Sequence, residues 1–216
     1  APSFPPSASL EAFEYRPILD QNQCGSCTGH GTAQAIFTSL KAAGAALPWC
    51  PSPKDIYATT RALERAGSTS GALQALDDSG TMPSDVMLAI SQFGIRAMRN
   101  PSPQGFNSDV DPSNVNDEPK LDELEADAQK IVTGEYRIDE TAPDAADQIR
   151  AAIAAGHAVG CGFFCDSAFQ NWAAGDPPLN AVNLSDPQGG GHWVCFTSYG
   201  PDHLRICNSW GDSWAD

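Results

Sequence analysis

Apolar residues at positions 33, 36, 37 and 40, followed by Gly44, recur at intervals of three, four and seven. This spacing predicts an amphipathic helix from Ser26 or Cys27 to Ala43, with Gly44 as its cap. The stretch "PSPKDIYATTRALERAG" predicts a second helix, entered through prolines, with Ile56, Thr59, Thr60 and Leu63 on one side. "MPSDVMLAISQFGI" predicts a third, with Ser84 as N-cap and Gly94 as stop. Residues 1–23 read as an extended, proline-bearing lead-in.

The pattern changes after Arg99. As far as about Ala128 the chain is polar, acidic and punctuated by proline, which reads as a solvated connection, with a partner-binding acidic loop as the alternative. "IVTGEYRI" and a short helix in "PDAADQIRAAIAAG" follow. Three apolar, β-rich runs come next, "HAVGCGFFC", "HWVCFTSYG" and "HLRICNSW", bounded by glycine, proline and aspartate. The expected organisation is one α+β domain over 1–216: residues 1–98 mainly helical, 99–128 an acidic connection and 129–216 mainly sheet. No internal repeat interrupts it.

A length of 216 residues suits a single large core or two intimate lobes. The 17 prolines and 19 glycines imply many turns. A net charge of −15 repels phosphate backbones and anionic membrane surfaces, so a nucleic-acid partner is not expected. Runs such as "AVGCGFFC" are far shorter than a membrane span, and "APSFPPSASLEAFEYR" has neither a basic start nor an apolar core. A soluble chain without membrane insertion or signal peptide is therefore expected. Its compartment stays open, with an extracellular or virion-associated setting ahead of a cytoplasmic one.

Seven cysteines form an odd set, so one thiol at least is free unless chains are cross-linked. Cys24 and Cys27 have the Cys-x-x-Cys spacing of a redox pair or half a zinc site. No second such pair and no His-x-x-x-His accompanies them, so no metal site is expected. A polar, proline-led approach also differs from the strand that precedes a thioredoxin-like pair. The third reading makes Cys27 alone chemical, because backbone N–H groups at a helix start favour the nucleophilic thiolate.

Such a thiolate needs a base. His30, one turn after Cys27, reads as packing or support, and His157 and His203 as solvent-facing. His192 follows three glycines at the mouth of a strand, where a substrate backbone has room, and is the best candidate. Asn208 lies sixteen positions on, as two antiparallel strands joined by "YGPDH" require, and its amide oxygen could hold the ring. Gln21 could complete an oxyanion hole with the backbone N–H of Cys27.

"QNQCGSC", "GGGHWVCFTSYG" and "CNSWGDSW", in this order, resemble the papain-like cysteine peptidases over most of the chain. The resemblance implies a catalytic Cys27, His192 and Asn208, with Gln21 in the oxyanion hole. It implies that Trp210 shields the asparagine–histidine bond, that Gly190 and Gly191 line the substrate site, and that Cys24 is disulfide-bonded, with Cys50 as its partner. The implied fold has a helical lobe and an antiparallel, barrel-like sheet lobe flanking a cleft. Thr28 stands where Trp or Tyr is usual, as in microbial or viral members with Gly-Ser-Cys-Thr. The separation of 165 residues from Cys27 to His192 exceeds the roughly 130 to 150 usual for the family, and the segment after Arg99 could hold the insertion. Cys161, Cys165, Cys195 and Cys207 lie in apolar strands, where free buried thiols are expected and one or two disulfides are the alternative.

The expected activity is peptide-bond hydrolysis through an acyl-enzyme, without cofactor. Its partner would be a peptide or protein substrate, alongside a partner assembly or a propeptide not visible in this chain. Two rivals remain: a cell-wall peptide amidase, and a catalytically lapsed structural or binding component of a virion or surface assembly.

Overall fold

Helix α1 (Cys27–Ala42) packs against both the other long N-terminal helices and the sheet, and its glycines make that possible. The computed structural model describes residues 4–66, 78–98, 108–110, 128–131 and 134–214. A Cβ on Gly29 would lie 2.5 Å from the carbonyl oxygen of Pro53, and one on Gly31 would lie 2.8 Å from Cδ1 of Trp193. Glycine inside a helix costs about 1 kcal/mol relative to alanine. Here close approach on two sides offsets that cost.

Around α1 lie α2 (Pro53–Arg65) and α3 (Pro83–Phe93). Leu19, Ala33, Ile56, Val86, Ile90 and Ile95 form the core between them. Ser52 caps α2 by accepting the Asp55 N–H, and Pro53 occupies its first turn. The expected cap of α3 is different. Met82, not Ser84, holds the N-cap position; Pro83 fits the first turn, and Glu64 Oε1 accepts the Met82 N–H at 2.7 Å. Gly94 ends α3 at φ +78°, as the sequence implied.

The second half contributes α4 (Ala145–Ala154), β2 (Val159–Cys165), the short α5 (Ser167–Gln170), β3 (Gly190–Tyr199) and β4 (Leu204–Cys207). All sheet pairing is antiparallel. β2 runs beside β3 from Val159↔Phe196 to Cys165↔Gly190, and β4 pairs with the opposite edge of β3, with Cys195↔Cys207 in register. The lead-in is not merely extended: it supplies β1 (Ala8–Ser9), which continues the β2 edge at Ser198 and Tyr199, and a 3₁₀ turn over Glu11–Phe13. The wholly buried carboxylate of Glu14 then pairs with Arg205 of β4 and with Arg16, each at 2.8 Å.

Three further expectations need correction. The described strands form an open four-stranded sheet, not a closed barrel. The acidic connection is not uniformly solvated: Ser108 and Val110 are completely buried, and Asp109 accepts hydrogen bonds from Ser52 Oγ (2.5 Å) and Lys54 N–H (3.1 Å). None of the seven cysteines is in a disulfide, so Cys24 and Cys50, both buried, are not linked to each other.

Trp193 sits in a slot built from glycine. Opposite Gly31, a Cβ on Gly160 would come within 2.5 Å of ring carbon Cζ2, and one on Gly162 within 3.3 Å of Cε3. The ring is flanked by α1 and β2 and cannot retreat far. Gly160→Ala is therefore expected to destabilise the fold by about 1–3 kcal/mol through overpacking, read as a lower urea midpoint. An unchanged midpoint would show that the slot has slack.

Candidate active site

Cys27 is the first residue of α1, where unpaired backbone N–H groups gather. Burial pushes its thiol pKa up. Backbone N–H groups of Trp193, Thr28 and Cys27 itself pull the other way by stabilising the thiolate, and the Asp78 carboxylate adds a small upward push. The Trp193 contact is structurally informative, because it seats the thiol against the strand residue adjoining His192. Thr28, in place of an aromatic residue, is buried and shares a 2.5 Å hydrogen bond with Thr81.

His192 and Asn208 meet as the hairpin spacing required, with Nε2 to Oδ1 at 2.7 Å. The Ser209 N–H also donates to that oxygen at 2.9 Å, which fixes the amide with its oxygen toward the ring. An acceptor at Nε2 places the proton there and leaves Nδ1 to receive one. Burial lowers the His192 pKa, and the bond to Asn208 partly opposes this. Trp210 stacks on the imidazole at 4.8 Å and 24°, covering the pair. Phe163 and Phe169 close the ring's other sides with edge contacts at 5.9 and 6.1 Å.

Gln21 is buried and doubly held. Its Nε2 donates to Cys24 O at 2.8 Å, and its Oε1 accepts from Ser209 Oγ at 2.5 Å. One Nε2 hydrogen is thus used and the other is left for an incoming oxyanion. The backbone joins in: Gln21 N–H donates to Ser209 O, and Gly211 N–H to Leu19 O. Ser209 therefore clips the glutamine to the asparagine. Nothing in the stretch "CNSWGDSW" itself marks this serine for the role, because its partner lies 188 positions away. Ser209→Ala is expected to lower kcat up to about tenfold, the worth of one positioning hydrogen bond, with KM little changed in steady-state assays.

Gly190 and Gly191 line a shallow pocket of about 220 Å³ with Cys165, Gln170, Gln188, His192 and Trp210. The Cys165 thiol is pushed up to about 11 by burial. Of the other histidines, His157 and His203 face solvent. His30 is fully buried, bonded to Ser26 O (2.9 Å) and Ser108 Oγ (2.8 Å), and lowered to about 4 by burial. It supports the turn ahead of Cys27. Among the described residues no three His, Cys, Asp or Glu side chains are grouped as metal ligands would be.

Helices on one side of Cys27 and an antiparallel sheet that carries His192 and leads into Asn208 on the other define a papain-like α+β fold. The solved structures it resembles are cysteine proteases. Xylellain from Xylella fastidiosa is 21% identical with a TM-score of 0.67, the alignment covering 99% of this chain and 77% of that one. Bromelain from Ananas comosus, solved in complex with the E64 inhibitor, is 16% identical with a TM-score of 0.64, covering 98% and 86%. Procathepsin L 3 from the larval midgut of Tenebrio molitor is 16% identical with a TM-score of 0.69, covering all of this chain and 63% of that one. The chain thus spans less than two thirds of that precursor. No protein-family profile and no curated protein matches the sequence.

Proposed function

We propose that the chain is a papain-like cysteine peptidase. The observation that carries this reading is the 2.7 Å His192–Asn208 bond beneath Trp210, beside a thiol at a helix start that faces the Trp193 N–H. Cys27 Sγ attacks the scissile carbonyl carbon while its proton passes to Nδ1 of His192. The oxyanion that forms is received by the free Nε2 hydrogen of Gln21 and the Cys27 N–H. His192 then protonates the departing amine, leaving a thioester. Water, deprotonated by His192, cleaves that thioester and returns the free thiol and a carboxylic acid.

Gly190 and Gly191 offer side-chain-free backbone at the edge of the cleft, suited to an extended peptide. A propeptide fits the reading as a further partner, since the Tenebrio molitor neighbour was solved as a procathepsin. Among the described residues no helix is long and apolar enough to cross a membrane, and an extracellular or virion-associated setting remains the preferred location.

The test is titration with E-64, the inhibitor held by neighbouring structures, during hydrolysis of casein. Hydrolysis is expected to fall in step with modification of one residue, mapped to Cys27 by peptide mass spectrometry. Casein hydrolysis by fully modified protein would overturn the assignment. Cleavage of purified peptidoglycan with casein untouched would move the substrate to cell-wall peptides.

A further inference from the structure

The segment that carries Gln21, Cys24 and Cys27 has no disulfide staple, since neither Cys24 nor Cys50 is in one. A carboxylate reaches it instead. Asp78 Oδ2 accepts the Gly25 N–H at 2.7 Å, and Asp78 Oδ1 accepts the Tyr57 hydroxyl at 2.7 Å. Tyr57 is 1% exposed in α2, so this end of the connection is fixed in the core. Its hydroxyl also receives the Gly80 N–H at 3.2 Å, which holds the turn around Asp78 in place. A Cβ on Gly25 would sit 3.0 Å from Asp78 Oδ1, so the approach depends on glycine. Three residues beyond Asp78, Thr81 bonds Thr28. The same short segment therefore grips the residue two before the nucleophile and the residue after it.

From this geometry we infer that Asp78 is a positioning residue, a charge-assisted strap from α2 to the nucleophile turn that fixes Cys27 relative to His192 and Gln21. The role rests on the peptidase reading for its effect on turnover, but not for its effect on the turn. Both carboxylate oxygens are occupied, and each partner is a donor, so the acceptor-only carboxylate matches the site. The arrangement also places a negative charge near the thiol, where it disfavours the thiolate. Among the described residues, the titratable groups that act on Cys27 are Asp78 and Cys165 of β2. Around Asp78 they are Tyr57 and Cys27.

Asp78→Ala and Asp78→Asn separate the strap from the charge. Asparagine keeps a carbonyl for the Gly25 N–H and an amide that can donate to a reoriented Tyr57 oxygen. In Asp78→Ala, amide hydrogen exchange of the peptide holding Gly25 should accelerate, and kcat should fall roughly 10- to 100-fold, the scale expected for a displaced nucleophile, with a smaller change in KM. Asp78→Asn should recover most of kcat and slow exchange, while iodoacetamide labelling of Cys27 shifts to lower pH because the neighbouring charge is gone. Wild-type exchange at Gly25 in Asp78→Ala, or an unshifted labelling profile in Asp78→Asn, overturns the proposal. Absence of peptidase activity in the wild type would instead strike the peptidase reading, and the exchange and labelling arms would still decide on Asp78.

Discussion

Cys27→Ala is expected to abolish hydrolysis, a loss of about six orders of magnitude in kcat on the scale of other nucleophile deletions, with an unchanged circular-dichroism spectrum. No other atom can replace Sγ at the start of α1. Loss of the nucleophile removes the thioester route altogether, and the remaining oxyanion donors can act only on attack by water. The fold should tolerate the change. Alanine is the best helix former, keeps the Cβ, and removes a side chain that is only partly buried. Cys165 offers the internal control, because its thiol also lines the pocket beside His192. It is the last residue of β2, just ahead of Asp166, the N-cap of the single-turn α5, and burial with the neighbouring Asp166 carboxylate pushes its pKa up to about 11, so it should not serve as nucleophile. Cys165→Ser should retain turnover. Persistent hydrolysis in Cys27→Ala, or loss in Cys165→Ser alone, would reassign the nucleophile.

Much of this site could be read in the sequence because its signals are local. Helical spacing placed Cys27 at a helix start, and two apolar runs around a tight turn placed His192 opposite Asn208. What escaped reading depends on contacts between distant segments. Ser209 acquires its role from Gln21, 188 positions away, and Phe163 and Phe169 become walls of the histidine box only once β2 and α5 pack beside β3. β1 is too short to show alternation, and its pairing depends on the far end of β3. Taken alone, the glycines of "CTGHGT" are weak helix formers. Their value appears only when Pro53 and Trp193 press against them.

The disulfide expectation failed for a related reason. Family resemblance implied a Cys24–Cys50 link, yet this chain meets the same mechanical need at Gly25 with Asp78 and Tyr57. Such a substitution of a hydrogen-bonded carboxylate for a covalent link leaves no recognisable spacing. The acidic connection misled similarly, since its composition predicted solvent contact while Ser108 serves as a buried partner of His30.

His192→Ala is expected to lower kcat by roughly 10²- to 10⁴-fold, the span of general acid–base catalysis, and to change how Cys27 responds to pH. Burial moves the two groups apart: the Cys27 pKa is raised and the His192 pKa is lowered. Taken singly, the thiolate would require high pH and the imidazolium low pH, so no pH would populate both. Proton transfer from Cys27 to His192 avoids that conflict, since each new charge stabilises the other in a site of reduced dielectric. Asn208 Oδ1 supports the imidazolium and the Trp193 N–H supports the thiolate. Wild-type Cys27 should therefore react with iodoacetamide below neutral pH, and lose that reactivity only when acid protonates the pair. Without His192 the thiol keeps its upward push from burial and loses its counter-charge. Its labelling should then rise only above the ordinary thiol range. Mass-spectrometric labelling rates from pH 4 to 9 distinguish the cases. Matching profiles in wild type and variant would mean that His192 does not pair with Cys27, and the papain-like frame would then carry a thiol without a base.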